Sequence, residues 1–257
     1  MSLFAGLYRI FEVNIIITIL LNFKLFTFRD AIKIPIIVYG RYTVHNLMSI
    51  KRGSLVLGCP CKTGLIKLNR RIGCNIGSKL RGSLCLNGKL IINGKCDIGQ
   101  GCNITIREGG VMQVLRELSI TGASKIHVYK SVKFGNRVTV SWDVHIHDTD
   151  YHYFIVDDTI FSRNQDIEIG DNVWIGHNVT IAKGGIIPSN CIVASNSLIN
   201  RSFREYGTGL LLAGIPGQIK RCGVKPINNF CQDLIIDQYF KKQEHGIHKG
   251  IPASLLY

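Results

Sequence analysis

The chain has 257 residues, a hydrophobic fraction of 46% and a formal net charge of +14 at pH 7. The apolar fraction is sufficient for a folded core, and the charge favours anionic partners such as a membrane surface or a phosphorylated ligand. The basic residues are scattered, and no stretch interleaves them with aromatic residues, which argues against a nucleic-acid-binding protein.

The nine cysteines predict neither a disulfide framework nor a metal site. No CxxC pair occurs, and Cys59 and Cys61 are too close together for a zinc knuckle. Cys96, Cys102 and Cys191 fall on inward positions of the repeat described below, where a free thiol acts as a small hydrophobe. No segment has the pattern of a cleavable signal peptide, so we expect reduced cysteines and a cytoplasmic protein.

Residues 1–40 form an apolar and basic segment that we expect to be helical. Within it, residues 11–28 are strongly apolar, but the longest uncharged stretch, 13–23, has 11 residues, fewer than the roughly 20 that span a bilayer. Two interpretations are open and do not exclude each other. The helix packs on the end of the next domain, or its apolar face enters a membrane interface beside the basic residues. The second interpretation would locate the protein at the inner face of the cell membrane.

Residues 41–217 carry a six-residue repeat, irregular up to about residue 85. Neither a helix nor an ordinary strand produces a strict period of six, which is typical of a parallel β-helix with three hexads to each coil. The repeat is most regular at 167–200. The first inward positions predicted there are Ile169, Ile175, Ile181, Ile187, Val193 and Ile199. The second inward positions are Val173, Val179, Gly185, Cys191 and Ser197.

The same count predicts buried residues from 86 to 146. They are Leu86, Leu90, Ile92, Cys96, Ile98, Cys102, Ile104, Ile126, Val128, Val132, Phe134, Val138, Val140, Val144 and Ile146. The repeat stops after Ile146 and resumes at Ile169, 23 residues later, which is not a multiple of six. Residues 147–166 are therefore predicted to leave the coil as an excursion loop, and such loops often carry function. Residues 218–257 are predicted to form a C-terminal helix and a basic tail.

Three motifs follow one another in the second half of the chain: SWDVHIHDTDYH at 141–152, IGDNVWIGHN at 169–178 and AGIPGQIKR at 213–221. With the hexads, they resemble the hexapeptide-repeat acyltransferases over about residues 86–221. The similar subgroup acetylates sugar hydroxyls and includes polysaccharide and O-antigen O-acetyltransferases. The resemblance implies a left-handed parallel β-helix, a homotrimer, acetyl-CoA as co-substrate in a groove between subunits, and an excursion loop that reaches this groove.

Transfer of an acetyl group from a thioester to a hydroxyl needs a base that takes the hydroxyl proton, and histidine suits this role near neutral pH. His145, His147 and His152 compete for it at the start of the loop. The resemblance assigns the catalytic histidine to His152, with His147 as the main alternative. Either Asp148 or Asp150 is expected to orient the imidazole, as the third member of a triad does.

The resemblance also implies that Trp174 lines the groove, with packing at a subunit interface as the alternative. Backbone N–H groups near Gly176 and His177 are the expected donors to the oxyanion. The pantetheine arm is expected beside small residues, and the phosphates beside cations. These further predicted coenzyme contacts are Ala182, Ala194, Ser195, Arg201, Lys220 and Arg221. Gln218 follows the GIPG motif where related sequences often have a cation, which is a departure from the family pattern.

The sequence therefore predicts an O-acetyltransferase acting on a sugar of a surface polysaccharide or its precursor, with no bound metal. N-acetylation of an amino sugar stays open, because the same base could serve an amine. Two further alternatives are a zinc enzyme of the β-helix carbonic anhydrase type, which would use histidines such as His145, His147, His152 and His177, and a non-catalytic scaffold. The histidine spacing does not match that zinc family.

Overall fold

The computed structural model describes residues 12–72, 80–227 and 230–242. The strands up to the excursion loop are β1 (Ile36–Val38), β2 (Tyr42–His45), β3 (Leu55–Leu57), β4 (Ile66–Arg70), β5 (Gly82–Leu86), β6 (Lys89–Ile92), β7 (Lys95–Gln100), β8 (Asn103–Ile106), β9 (Val111–Val114), β10 (Glu117–Gly122), β11 (Lys125–Val128), β12 (Ser131–Phe134), β13 (Val138–Trp142) and β14 (His145–His147). The remaining strands are β15 (Ile155–Val156), β16 (Thr159–Ile160), β17 (Ile167–Ile169), β18 (Trp174–Ile175), β19 (Thr180–Ile181), β20 (Ile186–Ile187), β21 (Ile192–Val193), β22 (Leu198–Ile199), β23 (Leu210–Ala213) and β24 (Gln218–Cys222). The helices are α1 (Ile15–Leu25), α2 (Phe28–Ala31) and α3 (Phe230–Lys242), with a 3-10 turn at Arg204–Tyr206.

Successive strands belong in turn to three sheets. The first sheet has the order β1-β4-β7-β10-β13-β18-β21-β23-β24, the second β2-β5-β8-β11-β14-β19-β22, and the third β20-β17-β12-β9-β6-β3. Ile175 pairs with Val193 and Ile181 pairs with Ile199, each eighteen residues further along, so three hexads complete one coil. The predicted fold class, an all-β left-handed parallel β-helix with an excursion loop and terminal helices, is confirmed.

The core of the coil consists of the residues that the hexad count predicts. Every predicted inward position from Leu86 to Ile199 is buried, and each fully buried large aliphatic side chain stabilises the fold by about 1.5–3 kcal/mol. Burial raises the pKa of Cys96 to about 12 and that of Cys102 to about 11, so both thiols stay protonated. The prediction that these inward cysteines act as small hydrophobes is therefore confirmed.

Asparagines at the corners allow the sharp turns between the sheets. Asn172, Asn178, Asn190 and Asn196 have φ between 52° and 59°, a left-handed conformation that asparagine tolerates better than most residues. Their amides also stack from coil to coil: Asn172 Nδ2 donates to Asn190 Oδ1 at 3.0 Å, and Asn178 Nδ2 donates to Asn196 Oδ1 at 2.7 Å. These ladders keep successive corners in register.

Helix α1 covers the edge of the first sheet. Asn22, which is fully buried, donates to the carbonyl of Ile36 at 2.7 Å and accepts from the N–H of Ile36 at 3.0 Å. Thr18 Oγ1 accepts from the N–H of Val38 at 3.0 Å. The helix thus satisfies backbone groups that an edge strand would otherwise leave unpaired. The expected packing of the N-terminal helix on the end of the coil is observed, whereas residues 1–11 lie outside the described ranges.

The excursion loop leaves the coil where the count fails. Strand β14 ends at His147 and β17 begins at Ile167, which pairs with Val132 of the third sheet. Between them, β15 and β16 form an antiparallel hairpin. The stack itself extends beyond the predicted limits of 41–217, because β1 and β24 also belong to the first sheet.

At the C-terminus, α3 provides the predicted helix, whereas the tail from residue 243 onward and most of the early hexad at 72–77 lie outside the described ranges. No helix in the described ranges is long and apolar enough to cross a membrane.

Candidate active site

Three histidines lie side by side on the outer face of the second sheet. His127 of β11 pairs in register with His147 of β14, and His145 projects on the same side because it is two residues before His147. The ring centroids of His145 and His147 are 4.7 Å apart, and those of His127 and His145 are 5.6 Å apart. His145 and His147 project outward, since Ile146 between them is buried. We call His127, His145 and His147 the histidine cluster.

Tyr151 of the excursion loop completes this group. Its hydroxyl oxygen lies 2.6 Å from Nδ1 of His127, and its ring stacks on His147 with centroids 6.1 Å apart. The ring of Tyr129 packs against Tyr151 edge to face at 5.7 Å. The beginning of the loop is therefore held directly over the histidine cluster. Neither His127 nor Tyr151 was selected from the sequence. The register of β11 with β14 brings His127 beside His147, and the excursion loop carries Tyr151.

The histidine cluster is neutral near pH 7. Burial lowers the pKa of all three imidazoles, to about 4 for His145, where the neighbouring His147 and His127 lower it further. For His147, the negative charges of Asp150 and Asp148 oppose the effect of burial. Among the described residues, Nε2 of His145 and Nδ1 of His147 are buried without a hydrogen-bond partner. A neutral imidazole with a free ring nitrogen can either donate or accept a hydrogen bond, depending on its tautomer.

Asp148 has a structural role. Its carboxylate accepts hydrogen bonds from the backbone N–H groups of Tyr129, Lys130 and Ser131 at 2.7–2.8 Å, and the residue is fully buried. Burial raises the pKa of Asp148, and these three hydrogen bonds oppose that rise. Both carboxylate oxygens are used to hold the turn before β12, and in the described ranges no imidazole donates to them, so a role of Asp148 in orienting a catalytic imidazole stays a prediction.

Asp150 binds a lysine of the regular coil. Its Oδ2 forms an ion pair with Nζ of Lys183, and Lys183 also donates to the carbonyl oxygen of Ser162 at 3.1 Å. The ammonium group lies 5.8 Å from the centre of the Phe154 ring. Lys183 therefore joins both ends of the excursion loop to the coil. The carboxylate of Asp150 has a cation as its partner, and its influence on His147 is through charge.

His152 lies on the exposed part of the loop. Its backbone N–H donates to the carbonyl oxygen of Asp150 at 2.7 Å, and its side chain is exposed. In the described ranges, its imidazole has no hydrogen-bond partner and makes no ring contact with the histidine cluster. Of the two predicted bases, His147 thus lies half-buried in the cluster, and His152 lies on the loop beyond it.

Two aromatic rings lie at the corner between the first and second sheets, at the other end of the second-sheet strands from the excursion loop. The ring of His177 stacks on Trp142 with centroids 4.8 Å apart and planes 6° from parallel, and its Nδ1 lies 2.8 Å from Oγ of Ser195. Trp174 is 43% exposed, and its Nε1 donates to Oγ of Ser141 at 3.3 Å. Trp142 was not selected from the sequence. The excursion loop lies between Trp142 and His177 in the chain, so their stacking could be predicted only if the length of the loop were known.

Gly176 does not offer a free backbone donor. Its N–H donates to the carbonyl oxygen of Val193 at 2.8 Å, within the ladder that joins successive coils. A Cβ atom at Gly176 would lie 2.7 Å from the backbone nitrogen of Ser195, so close packing of the next coil requires the glycine. The Gly176 N–H is therefore committed to the ladder, and donation to the oxyanion by backbone N–H groups near Gly176 and His177 stays a prediction.

Within one chain, the predicted coenzyme contacts divide between two corners. Ala182 and Arg201 follow β19 and β22, at the corner from which the excursion loop also departs. Ala194 and Ser195 follow β21, at the corner of Trp142 and His177. The outer face of the second sheet, with its histidine cluster, lies between these two corners.

The cations predicted to bind phosphate are exposed on the surface of the coil. The guanidinium carbon of Arg201 lies 4.8 Å from the centre of the Phe203 ring. Lys220 Nζ donates to Oε1 of Gln218 at 3.2 Å, and Arg221 belongs to β24 at the end of the first sheet. Arg201 follows β22 of the second sheet, whereas Lys220 and Arg221 lie on β24 of the first sheet. In the described ranges, no group of three or more His, Cys, Asp or Glu side chains is arranged to hold a metal ion.

No protein-family model and no curated protein matches the chain. Among solved structures, it is similar to the polysialic-acid-specific acetyltransferase NeuO, with 18% identity over 81% of this chain and 98% of that chain and a TM-score of 0.49. It is also similar to the polysialic acid O-acetyltransferase OatWY, with 20% identity over 77% of this chain and 95% of that chain and a TM-score of 0.39. The hexapeptide-repeat-containing acetyltransferase VCA0836 from Vibrio cholerae is 21% identical over 46% of this chain and 62% of that chain, with a TM-score of 0.31. Each of these three neighbours is described as an acetyltransferase.

Proposed function

We propose that this protein is an acetyl-CoA-dependent O-acetyltransferase that modifies a sugar hydroxyl of a surface polysaccharide or its precursor. The observation that carries the proposal is the position of His152. An exposed imidazole without a partner stands on a loop whose beginning is held over a cluster of neutral histidines. A base that accepts a proton from a bound sugar must be accessible, and it must be unprotonated near neutral pH.

In the proposed reaction, the imidazole of His152 takes the proton of the acceptor hydroxyl as the sugar oxygen attacks the thioester carbonyl. A carbon–oxygen bond forms, and the carbonyl oxygen becomes an oxyanion. The carbon–sulfur bond then breaks, and the imidazolium returns the proton to the departing thiolate, which gives coenzyme A and the acetyl ester. Asp150, whose backbone carbonyl oxygen accepts from the His152 N–H at 2.7 Å, is proposed to hold the loop that carries this imidazole.

We further propose a homotrimer in which the groove for acetyl-CoA lies between neighbouring subunits. The argument rests on the division of the predicted contacts between two corners of the coil. A neighbour that packs beside the second sheet would add the far corner of its own coil to the loop and the histidine cluster. Trp174, whose indole is exposed in one chain, would be covered in such an assembly.

The test compares three histidine variants for release of coenzyme A from acetyl-CoA, with a panel of sugars and polysaccharides as acceptors. We expect His152→Ala to lower the rate by about 10²–10⁴-fold, the usual contribution of a general base. His45→Ala is the matched control, because His45 is exposed on β2 of the same sheet, far from the loop. Full activity of His152→Ala would refute the assignment. A loss confined to His147→Ala would transfer the role of base to His147.

The same assay separates the alternative functions. NMR of the product distinguishes an O-acetyl ester from an N-acetyl amide on an amino sugar. Stoichiometric zinc in the purified protein would favour the carbonic anhydrase type. Calorimetry that finds no micromolar binding of coenzyme A would favour a non-catalytic scaffold.

A further inference from the structure

The side of the α1–α2 segment that faces away from the coil carries large apolar side chains. One side of α1 is buried against the first strand through Thr18, Leu21, Asn22 and Leu25. The other side continues onto α2 and the residue after it. We call the following exposed residues, each between 41% and 72% exposed, the outer face: Ile15, Ile16, Ile19, Phe23, Phe28 and Ile32. A contiguous apolar surface of this kind marks an interaction site.

Cations border the outer face. Lys24, at the end of α1, donates from Nζ to the carbonyl oxygen of Met48 at 3.0 Å, which joins the helix to the turn after β2. A shallow groove beside this contact is lined by Phe23, Lys24, Met48, Lys51 and Arg52. Apolar side chains at the centre with lysine and arginine at the border match the interface of an anionic bilayer.

On α2, Arg29 adds a further positive charge to this border. The negative charge of Asp30 is paired with Lys33 at 3.1 Å, and therefore it does not offset the charges of the other cations.

We propose that the outer face docks the protein on an anionic lipid bilayer, with α1 lying in the plane of the interface. Helix α1 has 11 residues and a length of about 16 Å, which is too short to cross the roughly 30 Å of hydrocarbon.

The orientation that docking imposes bears on the active site. A second groove, of about 590 Å³, shares Ser49 and Lys51 with the first and extends to Arg107 and Tyr129. The ring of Tyr129 packs on Tyr151, which covers the histidine cluster. Docking through the outer face thus brings this groove, whose lining includes Lys51, Arg107 and Glu108, to the headgroup region and gives a membrane-held acceptor a route towards the histidines. The docking itself does not depend on the proposed reaction.

The experiment measures co-sedimentation of the 257-residue chain with vesicles of phosphatidylglycerol and phosphatidylcholine, and with vesicles of phosphatidylcholine alone. We expect binding to the anionic vesicles, weakened when sodium chloride rises from about 0.05 to about 0.5 M. The test variant is Ile16→Asn with Phe28→Asn, at side chains 71% and 72% exposed. We expect its partition coefficient to fall by at least about tenfold.

The matched control is Ile155→Asn with Ile160→Asn, since these isoleucines of the β15–β16 hairpin are 67% and 64% exposed. The control should bind vesicles as the wild type does. Light scattering after gel filtration gives the oligomeric state of each variant. The proposal is overturned if the wild type does not bind anionic vesicles, or if the hairpin variant alone loses binding. A test variant with a changed oligomeric state would make the outer face an interface between copies of the chain.

Discussion

Replacement of Asp148 by asparagine distinguishes a structural carboxylate from a catalytic one. The three hydrogen bonds to this side chain come from the N–H groups of Tyr129, Lys130 and Ser131. Two of them reach Oδ2 and one reaches Oδ1. An asparagine retains a single acceptor oxygen, so its amide nitrogen must face at least one backbone N–H group. Two donors would then oppose each other at a fully buried position.

The expected cost follows from this count. At least one hydrogen bond to a charged acceptor is lost, and a buried N–H group is left without a partner, which together give about 2–4 kcal/mol. The neighbouring variant Asp150→Asn provides the scale for comparison. Its carboxylate is 30% exposed and has one ion pair, with Lys183, so that we expect a loss below about 1 kcal/mol.

Urea denaturation followed by circular dichroism gives the free energy of unfolding of both variants and of the wild type. We expect Asp148→Asn to lose stability in clear excess of Asp150→Asn. If Asp148 instead oriented a catalytic imidazole, its replacement would lower the rate of acetyl transfer and leave the free energy of unfolding near that of the wild type. That result, or equal stability of the two variants, would refute the structural role.

Two further predictions concern the histidine cluster and the close approach of neighbouring coils. Because the folded-state pKa of His145 is about 4, below the ordinary 6.5, the unfolded chain takes up a proton first as the pH falls, and stability is lost between these two values. We expect His145→Gln to remove about 1 kcal/mol of the stability change between about pH 7.5 and pH 5, a value discounted for partial exposure. A Cβ atom at Gly99 would lie 1.7 Å from the carbonyl oxygen of Thr121, so Gly99→Ala should cost more than about 3 kcal/mol in thermal or urea unfolding. Gly109 has no atom within 4 Å of such a Cβ but has φ of +78°, so Gly109→Ala should cost only about 1 kcal/mol, and equal losses at both sites would contradict the packing argument.

The wall of the coil could be predicted from the sequence because it depends on a local period. An inward residue such as Ile175 is repeated every six positions, and its partner Val193 lies one whole coil further on. The failure of the count between Ile146 and Ile169 was as informative as its success, since it located the excursion loop at both ends. The period also separated inward cysteines from candidates for metal binding.

The site was predicted less completely, because its contacts join positions at irregular separations. Trp142 lies above His177 only because the coil between them contains the loop, and the hexad count stops there. His127 meets His147 through the register of β11 with β14, in a part of the chain where coils are longer than eighteen residues. The nearest carboxylate in sequence, Asp148, proved to hold a turn, because three backbone N–H groups converge on it.

Lys183 shows that the regular coil also determines the shape of the irregular loop. It lies two residues after the buried Ile181, in a position that the repeat leaves outward. From there its ammonium group reaches Asp150 near the beginning of the loop and the carbonyl oxygen of Ser162 near its end. One cation therefore limits the positions that the loop, and with it His152, can adopt. The position of His152 thus depends on contacts with the next coil as well as on the loop sequence.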